Sequence, residues 1–182
     1  WDDLTLAKYR ETTAPDSSEV ALLARPDALE PYFIETGFLG EAHGAEAHGL
    51  KLPDATTRWQ ADRTELTPDQ PVTLRWNNGA GLTFERQIAV DEHFMFTVTT
   101  TVKNQSHTPV TLYPYGLISR VHAEQKRTQV FMHEGPLGVI NEVLEDISYK
   151  DLREEGSKRF EHAKGWIGMT DKYWLTDIVP DK

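Results

Sequence analysis

The clearest pattern in the chain is an alternation of apolar and polar residues between positions 71 and 121. Apolar side chains recur at every second position in four successive segments, and Arg86 interrupts one of these apolar rows. Polar turns separate the segments at 77–79, 91–93 and 104–106. A period of two places the apolar residues on one face of a sheet, and Asn and Gly accept the backbone conformations of tight turns. The stretch therefore predicts four consecutive antiparallel strands, a β-meander.

Shorter apolar runs on both sides of the meander predict further strands. They lie at 4–9, 20–23, 32–36 and from 57 before it, and at 130–132, 138–143, 165–169 and 173–179 after it. Four glycines between 37 and 49 predict a loop, because glycine weakens regular structure. One helical turn is predicted at 149–155, ended by Gly156. The pattern is typical of an all-β antiparallel protein with a minor helical element.

Composition narrows the function by exclusion. The chain has 182 residues, 38% of them hydrophobic, which suits one globular core. Its net charge of −10 argues against nucleic-acid binding, because phosphate contacts need a basic surface. It has no cysteine, and no apolar run approaches the roughly 18 residues of a membrane span. We also find no phosphate-binding loop, nucleophile elbow or paired-carboxylate motif, so no enzyme class and no cofactor is indicated.

Two groups of histidines are candidates for chemistry, and both have an ordinary alternative. His43 and His48, with Glu41 and Glu46 nearby, are ligand types that suit zinc, but their spacing matches neither a helical pair nor a zinc finger. Unrelated histidines in a loop are the more ordinary interpretation, and we predict no metal.

The second group is His122, His133 and Glu134, which could supply an acid and a base in a cleft. Polar residues at strand ends are again the more ordinary interpretation.

Tryptophans and a charged segment complete the set of candidates. Four tryptophans could form stacking platforms for sugars or bases, although their period-two placement favours packing within the sheets. They are Trp59, Trp76, Trp166 and Trp174. Residues 145–161 are dominated by charge, which indicates either a solvated loop or a surface for a partner.

The last apolar block carries a resemblance to a known family. The block reads Gly165, Trp166, Ile167, Gly168, Met169, Thr170, Asp171, Lys172, Tyr173, Trp174 and Leu175, and continues to Ile178, Val179 and Pro180. It resembles part of the large periplasmic domain of the YidC/Oxa1/Alb3 family of membrane-protein insertases. Residues 2–12, 31–37, 82–86 and 102–105 fit the same domain, so the resemblance covers nearly the whole chain.

This resemblance implies a fold and a setting. It implies an antiparallel β-supersandwich of the galactose-mutarotase type, on the periplasmic side of the bacterial inner membrane. We expect residues 1–182 to be a single such domain, truncated at both ends. Insertion chemistry in this family belongs to membrane helices that the chain lacks, so no insertase residue can be assigned within it.

The resemblance also implies a function without catalysis. A scaffold or docking role is expected, in which the parent protein inserts and folds membrane proteins, alone or with the Sec translocon and its accessory subunits. The candidate docking surface within the charged segment consists of Asp151, Arg153, Glu154 and Glu155. The alternative is a carbohydrate-binding or mutarotase-like domain, for which His122, His133 and Glu134 would be the site. A third possibility is binding of extended segments at an exposed sheet edge.

Overall fold

The structure, a computed structural model, describes residues 1–42, 50–121, 133–171 and 173–181. These residues form antiparallel strands and one short helix, which confirms the all-β class. The elements are β1 (Leu4–Arg10), β2 (Glu19–Leu23), β3 (Tyr32–Ala42), β4 (Gln60–Ala61), β5 (Val72–Asn77), β6 (Leu82–Val90), β7 (Phe96–Asn104), β8 (Val110–Arg120), β9 (Gly135–Ile140), β10 (Val143–Asp146), α1 (Tyr149–Glu155), β11 (Gly165–Asp171) and β12 (Trp174–Ile178).

The chain divides into two compact units. The first contains Trp1–Glu35 and Gly116–Lys182, and the second contains Thr36–Tyr115. Strands β3 and β8 pair with each other, and the boundary between the units falls within both strands.

The first unit contains a β1–β2 pair and a four-stranded sheet in the order β10-β9-β11-β12. Its core cluster consists of Leu23, Tyr32 and Met169, all of them buried. The Tyr32 hydroxyl donates a hydrogen bond of 3.1 Å to the Met169 carbonyl oxygen, so the buried polar group is satisfied. Tyr149, at the start of α1, packs against this cluster.

The β9–β10 hairpin corrects one sequence prediction. Ile140 pairs with Val143, and Asn141 and Glu142 form a two-residue turn with φ angles of 51° and 70°. Both values are positive, as in the tight turns that join twisted strands. The single strand predicted at 138–143 was therefore wrong, because it runs through this turn.

The second unit is organised on a four-stranded sheet in the order β4-β5-β6-β7. Phe84 on β6 is 0% exposed, and its ring centroid lies 5.6 Å from that of Trp76 and 5.9 Å from that of Phe38. Trp59 lies 6.5 Å from Trp76, so these two tryptophans pack with each other and with the core. This packing is the ordinary role that the alternation favours.

Arg86 lies in the same apolar row as Phe84. Its guanidinium carbon is 5.3 Å from the centre of the Trp59 ring, and its Nη2 donates to the Thr36 carbonyl oxygen at 3.4 Å. Burial lowers the pKa of Arg86 from its usual value. The charge is accommodated by an aromatic face and a backbone acceptor.

The structure also corrects the prediction for the fourth strand of the meander. β5, β6 and β7 pair in succession as expected, but β8 pairs with β3. The turn after β7 is closed by Asn104, whose Nδ2 donates to the Thr108 carbonyl oxygen at 2.9 Å and whose Oδ1 accepts from the Ser106 amide at 2.9 Å. Alternation specifies which face of a strand is buried but not its partner. In the part of the chain that the structure describes, β7 is the last strand of its sheet.

The loop predicted at 37–49 is the third prediction that the structure corrects. Strand β3 runs through the start of this segment and ends at Ala42. A Cβ at Gly37 would lie 2.8 Å from the Tyr115 ring, and one at Gly40 would lie 2.8 Å from Leu112 Cδ2. These glycines let neighbouring side chains approach the β3 backbone closely. Glycine within a strand often marks such a close approach. The rest of that loop, with His43 and His48, and the strand predicted at 130–132 lie outside the described residues. The strand expected from 57 is reduced to Gln60–Ala61.

Candidate docking surface

Helix α1 has the bounds that the sequence predicted, Tyr149–Glu155. Ser148 caps its start: the Ser148 Oγ accepts from the Asp151 amide at 3.1 Å, and the Asp151 carboxylate accepts from the Ser148 amide at 3.2 Å and from its hydroxyl at 2.6 Å. This reciprocal arrangement is a capping box, with Asp in place of the usual Glu. Gly156 ends the helix with φ 80°, and its amide donates to the Leu152 carbonyl oxygen at 2.9 Å.

One side of α1 is anchored. Tyr149 and Leu152 are half-buried, and the Tyr149 hydroxyl lies within hydrogen-bonding reach, 3.5 Å, of Met169 Sδ in the core cluster. Packing of this kind is needed, because a helix of seven residues is not stable on propensity alone.

The other side of α1 is charged and open to solvent. We define the α1 surface as its five exposed side chains, Lys150, Asp151, Arg153, Glu154 and Glu155. Lys150 and Glu154 form an i,i+4 ion pair of 3.7 Å that is 70% and 65% exposed, so it contributes little to stability. All four residues of the predicted docking surface therefore lie together on one short helix.

These four residues do not have equal roles. Hydrogen bonds from Ser148 lower the pKa of Asp151. Its carboxylate is thus engaged in the cap, whereas Glu154 and Glu155 at the other end of the helix take no part in that cap. The sequence analysis grouped Asp151 with the other charged residues of the segment but did not show that it caps the helix.

The segment after α1 is tied back to β10. Lys158 Nζ donates to Glu145 Oε2 at 2.5 Å and lies 5.1 Å from the centre of the Phe160 ring. The hydrogen bond to Glu145 raises the pKa of Lys158. This contact links the chain on both sides of α1.

The cap predicts a pH dependence for the N-terminus of α1. The pKa of Asp151 is lower in the folded chain than the value of about 3.9 for an unfolded Asp. The stabilising contribution is therefore present above that unfolded value and is lost as pH falls through the folded pKa. We expect Ser148→Ala to return the Asp151 pKa toward its ordinary value, measured by carboxyl-carbon NMR. Ser157→Ala, beyond the helix, should leave it unchanged, and identical titration curves for Ser148→Ala and the parent would contradict the assignment.

Of the histidines in the two candidate groups, the structure describes only His133. His133 Nε2 lies 3.1 Å from the Pro136 carbonyl oxygen, and the His133 carbonyl oxygen accepts from the Thr170 hydroxyl at 3.1 Å. His122 lies outside the described residues. Where the structure describes the chain, no three His, Asp or Glu side chains form a group that could hold a metal ion.

A groove in the second unit was missed by the sequence analysis. Its volume is about 260 Å³, and its lining consists of Arg58, Gln60, Arg75, Trp76, Asn77 and Thr83. Arg75 donates to Glu85 at 2.8 Å, and Asn77 donates to Thr83 at 2.8 Å. Both are cross-strand pairs between β5 and β6, so these polar groups stabilise the sheet. The sequence signal that could have predicted this groove is the polar residues at alternate positions of β5 and β6.

Comparison with known proteins identifies the family of this chain. The family model for the YidC periplasmic domain matches residues 1–182. The chain belongs to the YidC periplasmic domain family. This confirms the resemblance carried by the block at 165–180. No helix among the described residues has the length and apolar character of a membrane span.

Three relatives of this family illustrate the similarity, each named membrane protein insertase YidC. The protein of Beijerinckia indica is 45% identical over 184 residues, that of Bradyrhizobium diazoefficiens 44% over 181, and that of Granulibacter bethesdensis 43% over 188. These alignments cover 99–100% of this chain but only 29–32% of the relatives. The chain thus spans about a third of the length of the relatives. No solved structure matches it.

Proposed function

We propose that this YidC periplasmic domain is a non-catalytic module of a bacterial inner-membrane protein insertase, where it serves as a scaffold and docking domain. The parent protein would insert and fold membrane proteins, alone or with the Sec translocon. The observation that carries the proposal is the family match over all 182 residues, together with relatives named as insertases. The same match over residues 1–182 supports a periplasmic location and a single domain, for which we propose the β-supersandwich type that the resemblance implies.

A role without catalysis is supported by what the polar groups do. Asp151 caps a helix, Arg75 and Glu85 form a cross-strand pair, and Asp91 holds a turn by accepting from two backbone amides. Each lowered carboxyl pKa among these residues has hydrogen bonding as its largest cause. Structural hydrogen-bond networks also perturb pKa values, so these shifts do not by themselves mark a catalytic site.

Docking is best supported at the α1 surface. It is exposed, it is held in place by Tyr149, which packs against the core cluster, and it carries both signs of charge. Mixed charges at a fixed geometry favour one complementary partner and steer its approach more than they add affinity. We infer that the partner is an accessory subunit of the Sec translocon with a complementary charge pattern.

The test is a charge reversal that spares the cap. In the parent insertase, Arg153→Glu, Glu154→Lys and Glu155→Lys together should reduce co-purification with Sec accessory subunits at least tenfold, about 1.4 kcal/mol of binding free energy. The matched control is Lys8→Glu, Glu11→Lys and Asp16→Lys, three exposed residues of the first unit with the same change in net charge. The control should bind like the parent, and thermal unfolding should show both variants folded. Equal binding by all three proteins would exclude the α1 surface.

The carbohydrate-binding alternative has less support. Of its three residues, His133 is engaged with the backbone of Pro136 at the start of β9, and His122 lies outside the described residues. The fold class alone does not argue for a sugar ligand.

A further inference from the structure

The edge of β7 that faces away from β6 could bind a ligand of a kind that the proposed docking role does not use. β7 is the last strand of its sheet, and among the described residues it pairs only with β6. It is nine residues long, and its pairing with β6 is regular over the whole length.

The hydrogen bonds at its two ends show which backbone groups point away from β6. The Asp91 amide donates to the Met95 carbonyl oxygen at 3.0 Å, and the Gln105 amide donates to the Gly81 carbonyl oxygen at 2.8 Å. Bonded and non-bonded pairs alternate along an antiparallel ladder. The odd-numbered residues of β7 therefore bond to β6, and the N–H and C=O groups of Val98, Thr100 and Val102 point to the open edge.

This edge lacks the features that protect edge strands. Natural edges carry prolines, bulges or inward-pointing charges that prevent pairing. From Phe96 to Val102, β7 has no proline, no charged residue and no break in register. The first charge is Lys103, near its end. An uncharged stretch of this kind, in a chain with net charge −10, is a template for another strand.

The side chains and flanks specify the strand that would fit. Val98 is 38% exposed on the face that carries Phe84, while Thr97, Thr99 and Thr101 are exposed on the opposite face. Asp91 and Glu92 lie before β7, and Lys103 lies at its end. An antiparallel partner would bring its C-terminal end beside the two acids. The fitting segment is therefore uncharged and extended, with basic residues after it.

We propose that the β7 edge binds an extended, uncharged segment of a membrane-protein substrate by strand addition, antiparallel to β7. This rests on the proposed function, which supplies substrates with such segments flanked by basic residues. Main-chain hydrogen bonds would give the affinity, and Val98 and Val102 would select apolar side chains at alternate positions. A second copy of the chain is a poorer occupant, because it would bring two chains of net charge −10 together.

The experiment measures hydrogen exchange by NMR on the 182-residue chain with a synthetic probe. The probe is an acetylated nine-residue peptide of alternating valine and threonine, preceded by one glutamate and followed by two lysines. At saturation, exchange at the Val98, Thr100 and Val102 amides should slow at least tenfold. The inward amides of Thr97, Thr99 and Thr101 should change little. A peptide of the same sequence, methylated at the backbone nitrogens that face β7, should give no protection.

A variant of the edge provides the second arm. Thr100→Pro removes an outward N–H and no bond to β6, so the chain should fold and bind the peptide at least tenfold more weakly. Thr100→Ala keeps the N–H and should bind like the parent. Protection of the outward amides in the free chain, or protection that rises with chain concentration alone, would overturn the proposal in favour of the chain itself or a second copy. If the peptide does not bind at β7 while the α1 variant still loses co-purification with Sec subunits, the β7 inference is rejected and the proposed docking function stands.

Discussion

Gly165→Ala is expected to lower the free energy of unfolding by about 3–5 kcal/mol. Gly165 has φ 130°, a conformation that only glycine adopts readily, and a Cβ built on it would overlap the Val139 carbonyl oxygen. It pairs with Ile140 where β11 meets β9, so the backbone cannot move without opening the sheet. Urea unfolding followed by tryptophan fluorescence would measure the loss.

Gly79→Ala is the matched control for this prediction. Gly79 also has a positive φ, 76°, but a Cβ there would meet no atom within 4 Å. This substitution should lower the free energy of unfolding only by the cost of placing alanine in the left-handed conformation, about 1–2 kcal/mol. If Gly165→Ala cost no more than Gly79→Ala, the close contact with Val139 would not be what requires glycine.

Phe84→Ala is expected to cost about 3–5 kcal/mol, because truncating a buried phenylalanine loses its burial and leaves a cavity. Phe84 is 0% exposed and its ring packs against Trp76 and Phe38. Differential scanning calorimetry would give the change, and Trp76 emission should shift to longer wavelength as water reaches the indole.

Phe94→Ala serves as the comparison. Phe94 is 74% exposed in the turn between β6 and β7, so its truncation should change stability by no more than about 0.5 kcal/mol. Equal losses for the two phenylalanines would show that the second unit has no core at Phe84.

Local signals predicted the elements that depend on local chemistry. The end of helix α1 was predicted correctly because Gly156 adopts a conformation that ends the helix. The apolar alternation predicted the positions of β5, β6 and β7. The block at 165–180 carried the family, and the structure shows it as the β11–β12 hairpin. A Cβ at Gly168 in this hairpin would lie 2.9 Å from the Thr176 carbonyl oxygen.

What the sequence did not predict depends on tertiary contacts. The pairing of β8 with β3 involves residues distant in sequence, and no periodicity encodes a partner. The glycines of β3 suggested a loop because the Tyr115 and Leu112 side chains that require them are far along the chain. At the candidate site, charge alone placed Asp151 with Glu154 and Glu155, and only geometry separated the cap from the rest.

Arg86 has a consequence for the fidelity of folding. A slip of β6 by two residues keeps every apolar side chain on its own face, so hydrophobic burial alone discriminates weakly against it. The slip would, however, remove the guanidinium from Trp59 and the Thr36 carbonyl oxygen, and would place a charge where Phe84 or Ile88 now packs. One half-buried cation in an apolar row thus makes the misaligned sheet costly and gives the native alignment a free-energy advantage that a wholly apolar row would lack.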